Sequence, residues 1–171
     1  MAKARVYLPA TFAMLSELKE TGQLAARSGW GFTVTPALRE FYTEGDEEEI
    51  AYSAFLEASM ASLRLLAIGD EENFPHRRVV ISVDVDESVL TAQPDMGDPV
   101  VKLNPAVITE ENLQAIHVDV EESEEATAKA IEVIDNADLG EEDAELAVGD
   151  ALDNFMAFYD PSELPFLVEL L

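Results

Sequence analysis

Arg77-Arg78-Val79-Val80-Ile81-Ser82-Val83-Asp84-Val85-Asp86 is the stretch that decides the fold class, read as one strand. Val79, Ile81, Val83 and Val85 alternate with Val80, Ser82, Asp84 and Asp86, the two-residue period of a strand with one dry face and one wetter face. Such a strand needs neighbours for its backbone and a helical cover for its dry face. Shorter β-prone runs supply the neighbours: Val6-Tyr7-Leu8 closed by Pro9, Phe32-Thr33-Val34, Val100–Leu103, and Ile116–Val120 with its own alternation.

Helical signals fill the intervals. Thr11 is placed to cap a helix from Phe12 to about Glu20, with Gly22 as its stop. Thr35-Pro36 pairs a hydroxyl cap with a proline at the first helical position and opens a helix to about Tyr42. Asp46-x-x-Glu49 opens the longest helix, to about Ile68, with one side of larger apolar residues and one lined by alanine. Gly69 is its expected stop and Asp70–His76 a loop, and Gln93–Pro99 reads as another. Carboxylates in a first turn, where the helix dipole favours them, mark a helix over Glu121–Asp135, and a last helix is expected over Glu141–Tyr159. Together these predict α+β: one domain over residues 1–171, an antiparallel or mixed sheet with helices packed on one face. The apolar tail, Ser162–Leu171, is expected to close the core of its own domain; the alternatives are a partner's groove or a homodimer.

Charge narrows the function. Of 171 residues, 36 are Asp or Glu and 10 are Lys or Arg, a net charge of −26, although 48% are hydrophobic and mean hydropathy is +0.01. That apolar content rules out a purely solvated acidic chain. Residues 1–43 hold five cations against three anions, and residues 44–171 hold five against 33. Such a surface repels nucleic-acid phosphates and anionic membranes, so neither is an expected partner. With no cysteine there is no disulfide, thiolate nucleophile or Cys-type zinc site. The longest uncharged runs, Val6–Ser16 and Ser28–Leu38, have 11 residues, short of a spanning helix. No signal-peptide core follows the start, and the expectation is a cytoplasmic protein.

Catalytic signatures are sparse. The chain has two histidines, so a Ser-His-Asp triad would need His76 or His117. His76 follows Phe74-Pro75 in a loop, and no nucleophile elbow, phosphate loop or dinucleotide fingerprint occurs. Asp84-x-Asp86 and His117-x-Asp119 each place two potential ligands on one strand face, so neighbouring strands would bring four O/N donors toward a divalent metal ion. Any half-exposed strand shows the same pairs, which makes solvated sheet residues the leading reading. No other cofactor is expected. Residues 121–153 concentrate 13 Asp or Glu against the single cation Lys129. On rigid helices that density suits capture of a basic protein surface, and one version is imitation of a DNA phosphate backbone. Trp30, between Gly29 and Gly31, reads as a core aromatic next to flexible turns.

Several segments together resemble a family of uncharacterised actinobacterial proteins without an assigned activity: Arg5-Val6-Tyr7-Leu8-Pro9-Ala10-Thr11, Val34-Thr35-Pro36-Ala37-Leu38-Arg39-Glu40-Phe41-Tyr42, Glu44-Gly45-Asp46-Glu47-Glu48-Glu49, Ala61-Ser62-Leu63-Arg64-Leu65-Leu66-Ala67, Arg77-Arg78-Val79-Val80 and His117-Val118-Asp119. The resemblance covers most of the chain to about residue 120. It implies no catalytic residues, and it draws attention to Thr35, Pro36, Arg39, Tyr42, Glu44 and Asp46 around the junction of two helices, expected as a structural corner with Arg39 paired to a nearby carboxylate, the alternative being the rim of a pocket. The function expected overall is that of a non-enzymatic interaction domain for a basic protein, with a small metal-dependent enzyme or ligand-binding domain as the alternative.

Overall fold

A computed structural model describes residues 2–26, 29–42, 44–68 and 75–169. Of the expected strand Arg77–Asp86, residues Val79–Asp86 form β4 and Arg77 and Arg78 precede it; β4 pairs antiparallel along eight residues with β1 (Lys3–Ala10), from Lys3↔Asp86 to Ala10↔Val79. Pro9 does not end β1 but pairs opposite Val80. On the other side of β4 lies β8 (Leu113–Asp119), with Val79↔Val118 and Val80↔His117 in register and an irregularity after Ser82. The remaining strands are β3 (Trp30–Phe32), β5 (Leu90–Ala92), β6 (Val100–Leu103) and β9 (Met156–Tyr159), in the order β5-β6-β3-β1-β4-β8-β9 with every described pairing antiparallel. β2 (Gln23–Ala25) and β7 (Val107–Thr109) form a separate two-stranded sheet.

The valine parity of β4 builds the main core. Val6 and Leu8 of β1, Val79, Ile81 and Val83 of β4, and Ile116 and Val118 of β8 are fully or almost fully buried with Phe12, Leu15 and Leu18 of α1 (Phe12–Thr21) and Leu164 and Leu167 of α6 (Leu164–Glu169). Burying side chains of this size is worth roughly 1.5–3 kcal/mol each. The tail thus packs in cis through α6; its last two residues, Leu170 and Leu171, lie outside the described residues. α1 starts and stops as its sequence indicates: the Thr11 hydroxyl accepts from Met14 N, and Gly22 takes the left-handed conformation, φ 75°, that favours glycine. Gly31 is required by contact, since a Cβ there would sit 2.7 Å from Val6 Cγ1.

The opposite parity (Tyr7, Ser82, His117) faces α3 (Glu47–Ala67), so α+β with helices packed on an antiparallel sheet holds, and a second set of helices reaches the other side. Ile50 and Ala54 of α3 form a smaller core with Leu38 of α2 (Pro36–Phe41), joined by Tyr7 and Phe32. Farther along α3, the Ser62 hydroxyl donates to Ala10 O at 2.8 Å and accepts from Val79 N at 2.9 Å, fastening the helix to the ends of β1 and β4. The outer side of α3 meets α4 (Glu124–Asp138) and α5 (Glu142–Leu152) through Leu63, Ala130, Ile134, Val148 and Ala151. By length and composition α3 could cross a membrane; here its apolar residues serve two interfaces, sheet and hairpin. Gly69 and residues 70–74 of the expected loop lie outside the described residues.

The corner between α2 and α3 forms as expected. The Thr35 hydroxyl accepts from Leu38 N and donates to the Asp98 carbonyl, Asp46 caps Glu49 N, Tyr42 donates to Ser53, and Arg39 pairs with Glu47. Other boundaries are corrected: β3 ends at Phe32 rather than Val34, α4 begins at Glu124 rather than Glu121, and the largest shift is in the last long helix. The last long helix ends at Leu152 rather than Tyr159, and Met156–Tyr159 becomes the edge strand β9 beside β8, from Asp119↔Met156 to Ile116↔Tyr159. The spacing of Phe155, Met156 and Tyr159 fits a helix, and pairing with the open edge of β8 overrides it.

Candidate functional site

The polar parity of β4 and β8 brings each candidate ligand to a different station. Asp119 is buried and carries a dense set of bonds. It accepts from Arg78 Nε at 2.9 Å and Arg78 Nη2 at 2.7 Å, from Arg78 N at 2.8 Å, and from the Thr127 hydroxyl at 3.3 Å. Arg78, 1% exposed, also donates to Asn154 O at 3.1 Å. This ion pair therefore joins the start of β4, the end of β8, α4 and the segment leading into β9. Asp84 instead accepts from Arg5 Nε at 2.5 Å and Nη2 at 3.3 Å, an interaction that raises the Arg5 pKa further. Asp86 caps the turn at Ser88, whose backbone N–H holds its pKa below the usual carboxylate range.

The structure does not bring the four candidate ligands to one point. Asp119 faces Arg78, and Asp86 lies eight residues farther along the same strand, roughly 26 Å at ~3.3 Å per residue. Ligands to one ion must come within about 2.0–2.6 Å of it. Among the described residues no group of three or more His, Cys, Asp or Glu side chains is placed to hold a metal ion. Asp84, Asp86, His117 and Asp119 share a sheet face without sharing a site.

His117 is the residue around which a site does form. It lies on the floor of an open groove of about 610 Å³ between the N-terminal half of α3 and the Asp153–Phe158 segment. Tyr7 and Ser82 rise from β1 and β4, Tyr52 and Phe55 descend from α3, and Phe158 projects from β9. The rings are interlocked. Phe55 meets His117 edge-on with centroids 4.8 Å apart, Phe158 meets the other side at 5.7 Å, Tyr52 stacks on Phe55 at 6.1 Å, and Tyr7 meets Phe55 edge-on at 5.7 Å. Burial, aided by the nearby Arg5 charge, pushes the His117 pKa from 6.5 down to about 4, so the imidazole is neutral at pH 7. Burial likewise raises the Tyr7 pKa, keeping the hydroxyl protonated.

His117 Nε2 and Ser82 Oγ are hydrogen-bonded at 2.9 Å. A nucleophilic serine needs such a base, together with a third group to orient the ring and access for substrate. Ser82 is only 2% exposed, and among the described residues no carboxylate bonds to the imidazole. The pair ties β4 to β8 and sets the ring's orientation under the aromatic side chains. Of the sequence candidates the structure brings His117 to this groove and leaves Asp86 and Asp119 with structural duties. Tyr7, Tyr52, Phe55 and Phe158 escaped sequence reading because they come from three separate elements, β1, α3 and β9.

The acidic segment has a different geometry. α4 and α5 form an antiparallel hairpin whose inner face is small and apolar, which leaves the carboxylates outside. Of the 13 anions over residues 121–153, 12 are exposed and Glu124 is half-buried. Glu124 pairs with Arg77 at 2.7 Å and Asp138 with Arg64 at 2.7 Å. Leu139, 86% exposed, and Leu146, 62% exposed, stand among these charges.

The sequence model of a family of unknown function, DUF6912, matches residues 4–168, which takes in the sheet, the groove and the acidic hairpin alike. The chain belongs to this family. The match extends well past residue 120, where the resemblance in the sequence weakened, so the hairpin, β9 and most of α6 are family architecture too. No curated protein and no solved structure matches the chain.

Proposed function

We propose that the chain is a non-enzymatic interaction domain that docks a basic protein surface on the α4–α5 hairpin. The observation that carries this reading is the concentration of nine exposed carboxylates, from Glu125 to Asp150, on one hairpin anchored to the domain through Leu63, Ala130 and Val148. Carboxylates crowded in this way repel one another and lower stability, and a cationic partner relieves that repulsion. Leu139 and Leu146 add apolar contact points that solvation alone does not call for, and desolvated anchors ringed by polar groups are what protein interfaces use. A fixed negative field also speeds encounter with a basic partner, in a salt-dependent way.

The test compares the immobilised wild-type chain with a variant carrying Glu141→Gln, Glu142→Gln, Asp143→Asn and Glu145→Gln. A specific partner should be retained from lysate by the wild type at low salt, released at high salt, and lost with the neutralised hairpin. Retention of the same proteins by both chains, or by neither, overturns the proposal. Release of the retained partner by duplex DNA would identify it as a phosphate-binding protein and the hairpin as a DNA mimic.

A further inference from the structure

The groove over His117 has no part in the hairpin docking just described, yet its chemistry complements the same kind of partner. Five Arg, His, Asp and Glu side chains define its electrostatics, the lining tyrosines Tyr7 and Tyr52 being neutral hydroxyls. Arg5 and Arg78 are each neutralised by a carboxylate of their own, Asp84 and Asp119, and His117 is uncharged at neutral pH. That leaves Glu48 on α3 and Asp153 at the end of α5 as the lining charges without a described cation partner, so the groove itself is negative. Asp153 also makes it continuous with the acidic hairpin, since it directly follows α5. The aromatic walls are unusually bare: Tyr52 is 59% and Phe158 66% exposed, on opposite banks, above a floor of Phe55 and His117.

We propose that this groove receives the arginine side chain of a basic polypeptide, its guanidinium stacked on the Tyr52–Phe55 and Phe158 rings and its charge met by Glu48 and Asp153. A flat, weakly hydrated guanidinium stacks on aromatic faces, whereas a compact ammonium holds its water more tightly. An anionic ligand would meet the two carboxylates and the hairpin field beyond them. A purely apolar one would desolvate Glu48 and Asp153 without return. The inference rests on the docking reading for the source of the arginine, but its chemistry is confined to the groove.

The probe is N-acetyl-arginine methylamide, which carries one positive charge and is too small to bridge groove and hairpin, with N-acetyl-norleucine methylamide as its uncharged counterpart. Side-chain NMR titrations of the full chain should show saturable shifts at Phe55, His117 and Phe158 with the arginine probe. Affinity for the norleucine probe should be at least fivefold lower. Tyr52→Ala and Glu48→Gln, both at exposed positions, should each weaken the arginine probe about fivefold or more, while the hairpin-neutralised variant keeps most of the affinity. No saturable shift, equal binding of norleucine, or indifference to both variants overturns the proposal. Partner capture by the hairpin without any probe response in the groove would sink this inference and leave the docking reading intact. Probe binding without partner capture would do the reverse.

Discussion

The two faces of the central sheet are finished in opposite ways. Toward α1 and α6 the strands present Val6, Leu8, Ile81, Val83 and Ile116, and helices close over them. Toward α3 they present Tyr7, Ser82 and His117, and the cover stops short, so that a groove with exposed Tyr52 and Phe158 remains. At one border of that groove the buried Arg78–Asp119 pair seals the junction of β4, β8, α4 and the β9 lead-in. Two ion pairs on this one face show the same contrast. Arg78–Asp119 is out of water, while Arg5–Asp84 is partly in it, with side chains 49% and 29% exposed. The first is a fixture of the fold, and the second keeps a charge neutral at the mouth of a site.

The largest effect should come from breaking the fixture. Asp119→Ala leaves the Arg78 guanidinium buried without its counter-ion and frees the Arg78 and Thr127 donors, a loss of about 3–5 kcal/mol for a buried pair. Urea unfolding followed by circular dichroism measures it. A double replacement, Arg78→Met with Asp119→Leu, removes both charges and should recover most of the loss. If Asp119→Ala unfolds no more easily than wild type, the pair is not the seal that separates the two regions.

What was legible in the sequence follows the range of the interactions. The β4 alternation, the Thr11, Thr35 and Asp46 caps and the glycine stop at Gly22 are local signals, and each formed as read. Asp84, His117 and Asp119 were indistinguishable in the sequence, because each is a polar residue alternating with aliphatic ones. Their environments are set by Arg5, by Phe55 with Phe158, and by Arg78, at separations of 79, 62, 41 and 41 positions. The end of the last long helix was missed for a similar reason. Its decisive contacts, Arg78 to Asn154 O and the β8 edge to Met156–Tyr159, are made by residues far away in the chain. Trp30 belongs here as well: read as a core aromatic, it is half-buried on β3 opposite Lys102.

A middle-sized effect belongs to the groove floor. The fold lowers the His117 pKa from 6.5 to about 4, so the unfolded chain binds the proton more readily over that interval. Stability contributed by the neutral imidazole is therefore complete above about pH 6.5 and is lost as pH falls toward 4. The open groove screens part of it, leaving about 1–2 kcal/mol between pH 7 and pH 5. Carboxylates work the other way, since protonating some of 36 acids relieves repulsion. His117→Gln has only the second contribution, so its stability should fall less than that of wild type, or rise, between the same pH values. Parallel pH profiles for the two chains would mean that the ring is not held neutral by its surroundings.

The smallest effect should be found at Arg64–Asp138, which matches the buried pair in form and differs in setting. Arg64 Nη1 and Nη2 reach the two Asp138 oxygens at 2.7 and 2.8 Å, a bidentate geometry as good as that of Arg78–Asp119. Yet the side chains are 47% and 44% exposed, and water solvates either partner once the other is gone. Asp138→Asn also removes one negative charge from a crowded hairpin. At ordinary salt the two consequences should nearly cancel, leaving the unfolding midpoint within the scatter of replicate measurements. At low salt, where repulsion among the remaining carboxylates is least screened, the variant should become slightly the more stable chain. If instead Asp138→Asn unfolds as readily as Asp119→Ala, bond geometry rather than exclusion from water governs these pairs, and the contrast between sealed junction and open surface fails.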